Sequence, residues 1–159
     1  MSIWWSLHLR REAASVPLAR RLLLGTMETA GVDPDISFDL SIALTEACAN
    51  AVEHGGATSP DGSPGVYRVT AYLDGEKCRI EVTDSGPGFP AARTVRPRAL
   101  RAPLMAPAQP DTQAENGRGL CLIEALADHV HVRNRPGRGA VVSFDKILKW
   151  REDALLKAS

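Results

Sequence analysis

The sequence predicts an α/β fold of the α+β kind: a two-layer sandwich with helices on one face of a mixed, mostly antiparallel sheet. Three observations predict it. Residues 66–84 alternate apolar and polar on both sides of Asp74-Gly75, the signature of an antiparallel hairpin. A second alternating pair, Val130–Asn134 and Ala140–Phe144, flanks Arg135-Pro-Gly-Arg-Gly. Ahead of the first hairpin lie two helical patterns with one-sided apolar stripes, which need a sheet face to cover.

Taken in order, Ile3–Arg10 reads as a first strand with Trp4 and Trp5 facing opposite ways. Ser15–Ala30 reads as a helix, with Ser15 as cap, Pro17 in the first turn, Leu18, Leu22, Leu23 and Met27 inward, and Gly31 as its stop. The next helix has Asp33 as N-cap, Pro34 at the first position and Gly55-Gly56 to close it after His54. Its apolar stripe is Leu40, Ala43, Leu44, Ala47, Cys48 and Ala51. Glu46, Asn50 and His54 recur every four residues along one edge of that stripe. A polar loop follows. In the first hairpin Val69, Ala71 and Leu73, then Cys78, Ile80 and Val82, alternate with polar residues up to the break Asp84-Ser-Gly-Pro-Gly.

Residues 91–116 lose all periodicity; Pro97, Pro103, Pro107 and Pro110 forbid a long helix there. A connection of that length inside a small domain reads as a lid or as an insertion. Gly117-Arg118-Gly119 then opens a helix over Leu120–Asp128 with Leu122, Ile123 and Leu126 inward. The stretch 146–158 reads as a short amphipathic helical tail.

The 159 residues suit a single domain, 1–159, large enough for a real core. With 19 basic and 19 acidic residues, no overall field recruits nucleic acid or an anionic membrane. No apolar run is long enough to span a bilayer, and the N-terminus lacks the layout of a signal peptide. Cys48, Cys78 and Cys121 lie far apart within apolar patterns, as small buried hydrophobes do in a reducing cytoplasm.

Three separated pieces carry chemistry. A carboxylate one turn before a carboxamide, Glu46 and Asn50, suits a site that holds a metal and removes a proton. Asp84, presented by the glycine turn of Gly86 and Gly88, is placed to accept a hydrogen bond from a ring amino group. Gly117 and Gly119 before a helix let backbone N–H groups approach phosphate. Each piece also has a plain reading: a solvated helix edge, a turn, a flexible joint.

In their order these residues resemble the Bergerat-fold ATPases of the GHKL superfamily, which includes the sensor histidine kinases and DNA gyrase. ALTEACANAVEHG resembles the N box, VTDSGPGF the first glycine box and NGRGLCLIEALAD the second. The form of the N box is similar to that of the bacterial anti-sigma-factor serine kinases. The resemblance implies a Bergerat ATP-binding fold with ATP and Mg²⁺ as cofactors. It implies Glu46 as catalytic base, Asn50 as the Mg²⁺ ligand, and Asp84 with Gly86 and Gly88 around adenine, His54 nearby. Gly117, Arg118 and Gly119 would close over the phosphates, with 91–116 as ATP lid. It implies a cytoplasmic protein serine/threonine kinase, a homodimer, that phosphorylates a STAS-domain antagonist and sequesters a sigma factor, with no direct nucleic-acid or membrane partner. Two departures stand out: Ala140 follows Gly139 where relatives commonly have Thr, and Glu53 replaces a basic residue usual in histidine kinases. They motivate an alternative, a nucleotide-gated binding module with little or no kinase activity.

Overall fold

Alternation and one-sided stripes translate directly into layers. The computed structural model describes residues 2–54, 65–84, 120–135 and 139–152, the side chains of 54, 134 and 135 excepted. Its elements are β1 (Ile3–Arg10), α1 (Val16–Ala30), α2 (Pro34–His54), β2 (Val66–Leu73), β3 (Lys77–Asp84), α3 (residues 120–126), β4 (His129–Arg135) and β5 (Gly139–Ile147). The strands form one sheet in the order β1-β2-β3-β5-β4, and each of its pairings is antiparallel. No parallel pair occurs among the described residues.

The phase of each strand decides which face it buries. Tyr67, Val69, Ala71 and Leu73 of β2 are buried beside Cys78, Ile80 and Val82 of β3 and Ala140, Val142 and Phe144 of β5. Register aligns them across strands: Val69 with Val82, Ala71 with Ile80, Ile80 with Phe144. The stripe of α2, Leu40, Ala43, Leu44, Ala47, Cys48 and Ala51, closes the same core. Each large side chain so buried stabilises by roughly 1.5–3 kcal/mol. Trp5 packs against this core and donates its indole N–H to Thr26 Oγ1 at 3.1 Å, whereas Trp4, in the other phase, is 65% exposed.

Several expectations shift. The buried face of α1 is Val16, Ala19, Leu23, Met27 and Ala30, while Leu18 and Leu22 face outward. Four leucines surround this helix, so the stripe alone did not fix its rotation; the small residues Ala19 and Ala30 mark the buried side. Ser15 precedes α1, but its side chain does not cap the helix. It donates to the Glu12 carbonyl at 2.7 Å and pairs with the Tyr67 hydroxyl at 2.6 Å. In α3, Leu120 and Ile123 are buried, while Leu122 and Cys121 are exposed. The tail begins without a helix: Lys146 and Ile147 complete β5, and Trp150 then bridges to Val32. Ladder pairing with Lys77 and Cys78 holds residues 146 and 147 extended. Residues 153–158 lie outside the described set.

Candidate functional site

Two elements deliver the polar groups that can be described. α2 is started locally, with Asp33 Oδ1 accepting the Asp35 N–H at 2.8 Å and the Asp33 carbonyl accepting the Ser37 N–H at 3.0 Å. Its final turns carry Glu46, half-buried, and Asn50, 5% exposed. β3 ends on Asp84, 6% exposed. Since Cys78, Ile80, Val82 and Asp84 share one phase of the strand, the Asp84 side chain lies on the helix side of the sheet.

Register and hydrogen bonding place these groups at one end of the sandwich. Asp84 is opposite Tyr67, whose hydroxyl pairs with Ser15 and interacts with the Cys48 thiol. Cys48 lies on α2 midway between Glu46 and Asn50 in sequence. Burial pushes both Tyr67 and Cys48 up to about 12, so both stay protonated and neutral beneath the site.

Asp84 is held from behind by β5. The Ala140 N–H donates to its Oδ1 at 3.3 Å. Gly139 adopts φ +105°, and a Cβ there would collide with the Asp84 carbonyl oxygen and come within 3.0 Å of Oδ1. Only glycine allows so close an approach of the two strands. Sequence reading noted Gly139 for the residue after it and missed this packing; the sole signal was a glycine beginning a strand.

Asn50 has the one buried side-chain atom without a hydrogen-bond partner among the described residues, its Nδ2. A buried, unsatisfied amide costs about 1–3 kcal/mol, so it marks a place where a ligand acceptor belongs. Its carbonyl oxygen is the hard donor type that suits Mg²⁺. No cluster of three or more His, Cys, Asp or Glu occurs among the described residues, so they supply no all-protein metal cage.

His54 ends α2, its side chain undescribed. Gly86, Gly88, Gly117, Arg118, Gly119 and the expected lid 91–116 lie outside the described residues. The structure therefore brings Glu46, Asn50 and Asp84 to one end and leaves the glycine segments unplaced. A groove of about 770 Å³ lies between α1 and α2; none of those three residues lines it. No described helix is long and apolar enough to cross a membrane.

Comparison with known proteins gives a consistent picture. Residues 9–146 match the family described as histidine kinase-like ATPase domain. The chain is 32% identical over 137 residues to a serine-protein kinase RsbW of Staphylococcus aureus, covering 86% of this chain and 82% of that protein. It is 33% identical over 133 residues to a serine-protein kinase RsbW of Bacillus licheniformis, covering 84% and 78%. Among solved structures, the RsbU and RsbW domains of Rv1364c from Mycobacterium tuberculosis superpose with a TM-score of 0.64 at 22% identity. That match covers 93% of this chain and 33% of the other, and speaks to the fold.

Proposed function

The chain belongs to the histidine kinase-like ATPase domain family, and on that premise we propose that it is an ATP-dependent protein serine kinase and anti-sigma-type regulator. The observation that carries the reading is the buried Asn50 Nδ2, without a hydrogen-bond partner among the described residues, on the helix that also presents Glu46. Asp84 would accept the adenine amino group, with His54, Gly86 and Gly88 beside the base. Asn50 would hold Mg²⁺, which when bound supplies positive charge at the phosphates. Gly117, Arg118 and Gly119 would donate to the phosphates, and 91–116 would cover them. Glu46 takes the proton of an incoming serine hydroxyl.

The partners of this reading are a STAS-domain antagonist, which receives the phosphoryl group, and a sigma factor, which is sequestered. The kinase is one domain, 1–159, cytoplasmic, and a homodimer. Trp4, exposed on the edge strand β1, supports the dimer; a monomer in light scattering removes that part.

The test is transfer from labelled ATP to a purified STAS-domain partner, with calorimetry on the same proteins. Glu46→Ala should abolish transfer and keep ATP binding. Asp84→Ala should lose both, since a charge-assisted hydrogen bond is worth about 1.5–3 kcal/mol, or roughly 10- to 150-fold in affinity. Absence of transfer at every Mg²⁺ concentration refutes the kinase reading. Ala140 favours a second reading: its buried methyl supplies no hydroxyl beside Asp84. A nucleotide-gated binding module would bind ATP without turnover and hold its partner equally well as Glu46→Ala.

A further inference from the structure

We infer that Arg11, which is outside every group assigned above, is the positioning residue for Asn50. The inference rests on reading α2 as the metal- and nucleotide-binding helix. α2 ends at His54, so the carbonyls of its last four residues have no partner within the helix. Arg11 follows directly on β1, and its guanidinium reaches two of them. Nε donates to the Ala51 carbonyl at 3.2 Å and Nη2 to the Val52 carbonyl at 3.1 Å. The Arg11 backbone N–H donates to the Gly65 carbonyl at 2.8 Å, just ahead of β2. Three parts of the chain, the exit of β1, the end of α2 and the entry to β2, are thereby joined at one residue.

Guanidinium suits the task. Its planar fork spans consecutive carbonyls, which an ammonium does not do, and a cation is favoured at the negative end of a helix dipole. The clamped carbonyls belong to the two residues after Asn50. Asn50 Nδ2 has no hydrogen-bond partner among the described residues, so its aim follows the helix backbone and the packing around it. Helix ends fray, and without Arg11 the opening would reach the turn from which Asn50 projects. Sequence reading missed Arg11 because the pairing spans 40 residues and obeys no local pattern.

The experiment compares wild type, Arg11→Met and Arg11→Lys by amide hydrogen exchange without ligand, and by ATP calorimetry with Mg²⁺ and with EDTA. Arg11→Met should speed exchange at residues 51–54 while leaving the first half of α2 protected. It should weaken ATP binding in Mg²⁺ by about three- to tenfold, change binding in EDTA by less than about twofold, and leave Arg11→Lys between the two. Equal loss in both conditions, or faster exchange spread across the sheet, overturns the inference in favour of general stability. Localised exchange with no Mg²⁺ effect in wild type overturns the metal-helix reading and leaves the clamp standing. Should Arg11→Met not fold, Arg11→Lys, which keeps the charge and lacks the planar fork, carries the same comparisons.

Discussion

The two ends of α2 are finished in opposite ways. At the start the cap is local: Asp33 accepts with its own side chain and carbonyl, and Pro34 has no N–H to leave unpaired, although the Asp33 N–H itself donates to the Lys149 carbonyl. At the finish, two carbonyls depend on Arg11 from another element, and Asn50 carries a buried N–H group with no partner. The first end is built for stability. The second leaves hydrogen-bonding capacity open, which a domain tolerates only where something else supplies the partner.

Mutations at each end sharpen that contrast. The largest effect is expected from Asn50→Leu, which removes the unsatisfied amide and keeps an apolar shape. Nucleotide affinity in Mg²⁺ should fall by tenfold or more, about 1.4 kcal/mol, while the melting temperature stays level or rises. A clear loss of stability would mean that Asn50 is structural. Alkaline pH comes next and acts beneath the finishing end. Cys48 and Tyr67 have ordinary values of 9.0 and 10.0, each raised by burial to about 12. Their folded values are raised, so the stability they contribute is complete below about pH 9 and lost as pH rises toward 12. Melting curves should show that decline, and Tyr67→Phe should flatten it. The smallest effect is Asp33→Ala, a lost cap costing about 1 kcal/mol. That lowers the melting temperature by roughly 2–4 °C for a chain of this size, with ATP affinity unchanged.

The contrast also explains what the sequence made legible. Caps, stripes and hairpin turns act between near neighbours; Asp33, the α2 stripe and Asp74-Gly75 were all readable. The Asp74 carboxylate accepts the Glu76 and Lys77 N–H groups, and the Lys77 bond leads in holding it below its ordinary range. Interactions across the chain left no such trace. Ser15 looked like a cap and instead serves Tyr67, and α1 turned Leu18 and Leu22 outward because Ala19 sits against the core. The tail stripe gave way to strand pairing at 146 and 147. At the candidate site, Glu46, Asn50 and Asp84 were recognisable by residue type and spacing, whereas Arg11 and the packing of Gly139 on Asp84 emerge only in three dimensions.

The strand order has a consequence for synthesis. β5 lies between β3 and β4, yet it is the last of the five to leave the ribosome. Until it emerges, the second edge of β3 stands open with the backbone groups that pair with β5 unmet, an edge that invites wrong partners. The nascent chain therefore passes through an interval in which Asp84 lacks its support from β5, and nucleotide could help complete the domain only after residue 140 has been made.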